Sequence, residues 1–213
     1  MMQNVPPTRE HLNCSGPPGG AVAIIASAGG IPALISLLRS LPKTFPLPIF
    51  VAQHLPRQPS KLDAVLSWHS QLNVVWAVEG DQPRKGNIYL VPPGTNLAIT
   101  DAGFEISPLA PGSSSWLGCG DHLIDSLVAR YGASTIGIVL SGALPAGVKG
   151  LRAIKACGGY TMAQDRQSST SFEMPAAAID FAKAEIVMPP DRMALALSII
   201  AEPWQEQQHP IHA

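Results

Sequence analysis

Ala21 to Leu38 reads AVAIIASAGGIPALISLL, and the order of its parts decides the fold. Ala21 to Ala26 is an unbroken apolar run of strand length. Ser27, Ala28, Gly29 and Gly30 interrupt it in the manner of a tight turn. Pro32 follows where the first turn of a helix tolerates a missing N–H. Ile31, Leu34, Ile35 and Leu38 then recur at the i, i+3, i+4, i+7 spacing of one buried helix face. The spacing predicts a helix to about Leu41. Strand, turn and helix in that order open a βαβ unit.

The same punctuation recurs outward from this stretch. Pro48 to Gln53 (PIFVAQ) is a second strand ending at His54. Ser60 and Asp63 have the spacing of a capping box for a helix carrying Leu62, Val65, Leu66 and His69. Asn73 to Val78, Asn87 to Val91, Leu97 to Thr100 and Phe104 to Ser107 are short runs separated by turn-rich text, which predicts a meander of small strands. After PGSSS, read as a flexible segment, Asp121 is placed to cap a helix with Leu123, Ile124, Leu127 and Val128 on one face. Thr135 to Leu140 (TIGIVL) is again a buried strand. The turn SGALPAG leads from it into a helix with Val148, Leu151 and Ile154 inward and Lys149, Arg152 and Lys155 outward, closed by Gly158. Tyr160 to Gln164, a short helix from Pro175 to Lys183, a strand from Glu185 to Met188 and a helix from Asp191 to Ala201 complete the pattern. The expected fold is α/β: a doubly wound, mostly parallel sheet with helices on both faces in a Rossmann-like three-layer arrangement, plus a small antiparallel hairpin region. Residues 1–20 read as a flexible tail, 21–202 as one domain and 203–213 as a second tail.

Composition narrows the function. The chain has 213 residues, 46% of them hydrophobic, enough for one well-buried core. Fourteen Lys plus Arg against 15 Asp plus Glu give a formal net charge of -1, so no basic footprint for nucleic acid is visible. No apolar run approaches the ~20 residues of a membrane span, and the first 20 residues do not read as a secretory leader. The expected compartment is the cytoplasm. Cys14, Cys119 and Cys157 fit reduced thiols rather than a disulfide framework. Cys119 with His122, and His209 with His212, lack a second pair at zinc spacing, so no metal is expected. Trp68, Trp76, Trp116 and Trp204 are scattered and read as packing residues.

In open parallel sheets, working groups gather beyond the carboxyl ends of the strands. Ser27, His54 and the turn at residues 141–147 are three such places. Ser27 has two readings: a helix cap, or a nucleophile with the amides of Ala28 to Gly30 near enough to steady an oxyanion. His54 is followed by Leu55 and Pro56, which carry the chain out of regular structure. It reads either as a surface imidazole or as the general base for Ser27.

Five stretches resemble, in order, the signatures of the CheB-type methylesterase domain. They are AIIASAGG (Ala23 to Gly30), QHLP (Gln53 to Pro56), VEGDQPRKGNIYLVPP (Val78 to Pro93), VLSGALPAGVKGLRAIKACGG (Val139 to Gly159) and MAQDRQSSTSFEMPAAA (Met162 to Ala178). The resemblance implies a doubly wound α/β fold. It also implies hydrolysis of γ-glutamyl methyl esters on chemoreceptor helices, with glutamine deamidation in many members. It assigns the catalytic serine to Ser27 and the catalytic histidine to His54.

The third member of the family's triad departs from the pattern. Where the family has T-G-M-G-x-D-G, this chain has Ser141 to Gly147 as SGALPAG. Ala146 stands at the aspartate and Ala143 at the methionine that helps to line the oxyanion site, while Ala28 replaces the usual threonine. The expected machinery is therefore Ser27 and His54, with Ala28, Gly29, Gly30 and Ala143 around the oxyanion. Glu173, where the family commonly has glycine, is a substitute acid. The expected activity is reduced, and the alternative is a catalytically disabled CheB-like binding or regulatory protein. Asp165 matches a family residue but reads equally as a turn cap. The expected partner is a helical, chemoreceptor-like substrate. Only about 20 residues precede the first strand, so the phosphoacceptor receiver domain of the full-length family arrangement is expected to be absent.

Overall fold

In the computed structural model, residues 19–110 and 115–206 are described. The expected tails apart from residues 19–20 and 203–206, PGSSS apart from Ser115, Cys14 and the His209/His212 pair lie outside them.

β1 (Ala21–Ala26) is the strand expected from AVAIIA, and all six of its residues are buried. Its alternate residues divide between two cores, as a period of two requires. Ala21, Ala23 and Ile25 face a cluster with Leu123, Leu127, Leu151 and Ile154, whereas Val22, Ile24 and Ala26 face one with Leu34, Leu37, Leu38 and Leu197. A central strand buried on both sides needs helices on both sides, which is why the run is continuously apolar.

α1 (Gly30–Leu38), α2 (Leu62–Ser67) and α6 (Pro190–Glu206) cover one face; α3 (Ser115–Tyr131), α4 (Val148–Ala156) and α5 (Glu173–Asp180) cover the other. With β2 (Ile49–Gln53), β3 (Asn73–Trp76), β4 (Asn87–Leu90), β7 (Thr135–Val139), β8 (Tyr160–Gln164) and β9 (Ile186–Met188), β1 forms a seven-stranded sheet in the order β3-β4-β2-β1-β7-β8-β9. Every pair in it is parallel. β5 (Thr95–Thr100) and β6 (Gly103–Pro108) form a separate antiparallel hairpin. The chain winds outward from β1 through β2 on one side and from β7 through β8 on the other. The switch point of the sheet therefore lies between the carboxyl ends of β1 and β7.

Four local expectations are corrected. The meander is confined to the hairpin, because β3 and β4 join the main sheet in parallel. Val74 and Ile88 enter the α1 face while Tyr89 enters the α3 face, a two-sided burial that a free meander would not supply. Ser60 does not build a capping box: α2 starts at Leu62, so the Ser60 hydroxyl lies too early and accepts only the Leu62 N–H, at 3.2 Å. Asp121 sits inside α3 rather than before it, and caps a different helix by accepting the Gly150 N–H of α4 at 2.7 Å. The last helix, expected to end at Ala201, runs on to Glu206.

No helix among the described residues is long and apolar enough to cross a membrane.

Candidate active site at the switch point

β1 ends at Ala26, and its last ladder partner is the neighbouring strand: His54 N–H donates to Ala26 O at 2.9 Å. Beyond that bond the two strand ends diverge into their turns. Ser27, half-buried, donates its N–H to Ser141 O on the β7 side, also at 2.9 Å. The nucleophile candidate thus sits between β2 and β7 at the point where the winding reverses, where open sheets of this kind place their ligands.

The two readings of Ser27 separate here. The N-cap of α1 is Gly29, in the left-handed conformation at φ 74°, and no side chain caps the helix. The Ser27 hydroxyl instead lies 3.3 Å from Nδ1 of the exposed His54 ring. With the ring proton on Nε2, Nδ1 accepts from that hydroxyl, which is the arrangement that prepares a serine for attack. The distance is long for an O–H···N bond, as resting hydrolase sites often are before substrate tightens them. Burial lowers the His54 pKa from the ordinary 6.5, which keeps the imidazole neutral and able to take a proton at neutral pH.

Among the expected oxyanion groups, Gly30 donates its N–H to Ser27 O at 2.9 Å. Ala28, Gly29 and Ala143 make no backbone N–H bond among the described residues. Gly29 is tightly enclosed: a Cβ there would lie 2.4 Å from Thr170 Cβ and 2.7 Å from Ser141 Oγ. Ala143 is exposed, as are Leu144 and Pro145, so the rim of the turn is apolar. Ala146 is 1% exposed and belongs to the apolar cluster of Ile25, Val139 and Leu151. Glu173 is exposed at the start of α5, next to Met174, whose N–H donates to Gly142 O. The three ion pairs of the described residues, Arg130–Asp101, Lys149–Asp125 and Lys155–Glu185, do not include it.

Three polar residues that sequence reading passed over hold this arrangement together. Ser141, fully buried, donates its hydroxyl to Ala28 O at 2.7 Å and accepts the Ser171 N–H at 2.9 Å. Gln164, 1% exposed at the end of β8, accepts the Ser141 N–H through Oε1 at 2.8 Å and donates Nε2 to Ser168 Oγ. Gln53, at the end of β2, donates Nε2 to Ser27 O and to His54 O, each at 3.0 Å. Both glutamines close largely buried strands, IFVAQ and YTMAQ, and that polar last position was the available signal. Asp165 accepts the Ser168 N–H and caps its own turn, in line with the structural of its two readings.

A cleft of about 200 Å³ opens beside His54, lined by Gln53, Arg57, Pro93, Leu109 and Cys119 among others. Burial pushes the Cys119 thiol up to about 11, so it is protonated and not a competing nucleophile. Among the described residues, no group of three or more His, Cys, Asp or Glu is placed to hold a metal ion.

Residues 22–197 match the family model for CheB methylesterase. A protein-glutamate methylesterase/protein-glutamine glutaminase of Carboxydothermus hydrogenoformans is 37% identical over 187 residues, covering 85% of this chain and 53% of that protein. One from Myxococcus xanthus is 36% identical over 171 residues, covering 77% of this chain and 47% of that protein. The chain spans about half the length of these curated relatives. The crystal structure of the Thermotoga maritima CheB methylesterase catalytic domain superposes with a TM-score of 0.80 at 29% identity, covering 85% of this chain and 98% of that one. The order of motifs, the doubly wound sheet and the Ser27–His54 pair thus agree with these matches, and the chain belongs to the CheB methylesterase family.

Proposed function

We propose that the chain is a protein-glutamate methylesterase in which Ser27 and His54 perform the chemistry. The observation that carries this reading is the hydrogen bond between Ser27 Oγ and His54 Nδ1 at the switch point. His54 takes the hydroxyl proton as Oγ attacks the γ-carbonyl of a methylated glutamate. The tetrahedral oxyanion is met by the N–H groups of Ala28 and Gly29, with Ala143 facing it across the crevice. His54 then returns the proton to the methoxy oxygen, methanol leaves, and water delivered by the same imidazole cleaves the acyl-serine to glutamate. A glutamine side chain follows the same course with ammonia as the leaving group. The substrate is a chemoreceptor-like helix in the cytoplasm, and no step needs a metal or cofactor.

A second reading is favoured by Ala146, which puts a methyl group in an apolar cluster where the family resemblance leads one to expect the acid that orients the histidine. Loss of that acid costs on the order of 10⁴-fold in kcat in unrelated Ser-His-Asp enzymes. On this reading the chain keeps the groove as a binding or regulatory protein. Methanol release from a methylated chemoreceptor fragment distinguishes the two. The esterase reading requires slow release that disappears in Ser27→Ala; release that persists in Ser27→Ala, or its absence from the parent chain, sinks it. Glu173→Gln tests the substitute acid: a rate equal to the parent's removes Glu173 from the mechanism.

A further inference from the structure

The β1–β2 ladder ends with the bond from His54 N–H to Ala26 O. No further backbone bond between these two strands fixes Ser27 relative to His54, although both side chains that meet in the site lie beyond this point. The Gln53 side chain supplies the next link. Its Nε2 lies 3.0 Å from Ser27 O and 3.0 Å from His54 O, so one amide group holds the backbones of both residues. Its orientation follows from its partners: both are carbonyl oxygens, and only the NH₂ end can donate to them. Gln53 is 8% exposed, and its Oε1 is buried without a hydrogen-bond partner. An apolar side chain of similar length would fill the space without burying an unpaired amide oxygen but would leave both backbone carbonyls without this donor, so what the amide adds is the pair of donated bonds. Gly30 packs against the same group and against the end of β1, since a Cβ there would lie 2.4 Å from Gln53 Oε1 and 2.7 Å from Ala26 Cβ.

We propose that Gln53 is a positioning residue that sets the distance between the Ser27 hydroxyl and the His54 imidazole by bridging their two carbonyls, with Gly30 leaving room for its amide. The inference rests on the reading of Ser27 and His54 as the working pair and extends it to the group that holds them together. A misplacement near 1 Å between reacting groups costs about 10²-fold, so loss of the bridge should show in rate more than in fold.

The full chain would be compared with Gln53→Met, which keeps the length and loses both donated bonds, and with Gly30→Ala, which crowds the amide from the other side. Two readouts are taken. The first is phosphonylation of Ser27 by a fluorophosphonate probe, with Ser27→Ala as control. The second is the His54 ¹⁵N resonance, read with and without Ser27→Ala in each background. The expected result is a labelling rate about ten- to a hundredfold lower in either variant, with a loss in the double variant smaller than the product of the two because both act on one bridge. The shift that Ser27→Ala causes at His54 should be present in the parent and absent in Gln53→Met. A purely structural Gln53 would lower the melting temperature and leave rate and coupling unchanged, which overturns the proposal. If the parent is not labelled at all, the esterase reading fails. Gln53 is then decided by the resonance alone: coupling kept in Gln53→Met refutes the bridge, and coupling lost supports it. Should Gln53→Met not fold, Gly30→Ala carries both readouts.

Discussion

The two walls of the crevice differ in kind. On the β1–β2 wall the side chains have chemistry to offer: a hydroxyl, an imidazole whose pKa burial lowers, and an amide bridging the two backbones. On the β7 wall the turn Ser141 to Gly147 offers almost none, since Ala143, Leu144, Pro145 and Ala146 carry no polar side-chain atom. Yet that turn is held as firmly as the opposite wall. Ser141 ties it to Ala28 and Ser171, Gln164 ties it to β8, and Met174 N–H secures Gly142. Scaffold and chemistry are thus separable among the side chains of one site: the side-chain bonds that place its backbone come from Gln53, Ser141 and Gln164, not from the side chains that would react.

The most forceful way to break this comparison is to give the β7 wall a reactive group. Ala146→Asp places a carboxylate where the resemblance leads one to expect the orienting acid, on a turn that is already formed. Methanol release is expected to rise by up to on the order of 10⁴-fold, the contribution of such an acid in unrelated triads. Ala146 is 1% exposed, so the new carboxylate is stabilised only if it pairs with the His54 ring; otherwise it enters the apolar cluster unpartnered and the melting temperature falls. A variant that melts lower with no gain in rate would mean that the β7 wall is no longer aligned with His54.

A smaller effect tests whether the walls are mechanically joined. Gly29 combines a φ of 74° with a would-be Cβ 2.7 Å from Ser141 Oγ, whereas Gly80, at φ 79°, has nothing within 4 Å of its would-be Cβ. Both glycine-to-alanine changes incur about 1–2 kcal/mol for the left-handed backbone. Only Gly29→Ala should add about 1–3 kcal/mol from overlap with the opposite wall. Urea unfolding of the two variants measures the difference, and equal midpoints would show that the walls are not in register at this point.

What the sequence disclosed follows the same division. β1 and β2 were legible because strands buried on both faces are almost continuously apolar, β7 and β8 because each is a short run rich in β-branched or apolar residues between turn signals, and Ser27 and His54 because each follows such a strand immediately. The pairing direction of β3 and β4 was not legible. Short strands flanked by glycine and proline look alike whether they turn back or cross over, and only the burial of Val74, Ile88 and Tyr89 on opposite faces decides between the two. The partner of Asp121 was hidden for another reason. Its carboxylate serves α4, whose amino terminus is remote in sequence, and a spacing rule sees only the helix that a residue precedes or belongs to. Gln53, Ser141 and Gln164 escaped because their roles lie in where the side chain bonds, and a polar residue at a strand end carries no mark of its acceptor.

The smallest effect expected is a shift in pH dependence, and it bears directly on the acid that the resemblance leads one to expect. His54 is lowered from 6.5 by burial, so its neutral form survives to a pH below that value. If it is the base, the acid limb of kcat/KM has its midpoint below 6.5. Stability follows the same sign. Between the lowered value and 6.5 the unfolded chain binds more protons than the folded one, so the contribution is complete above 6.5 and is lost as the pH falls through the folded value. The exposure of the ring keeps this contribution small. Ala146→Asp should move the limb the opposite way, since a carboxylate beside the imidazole favours its charged form. A titration of rate against pH in both proteins reads this as an upward displacement of the midpoint in the variant. A limb in the parent chain already above 6.5 would mean that a negative group meets His54 in solution, and the β7 wall would then not be the chemically empty one.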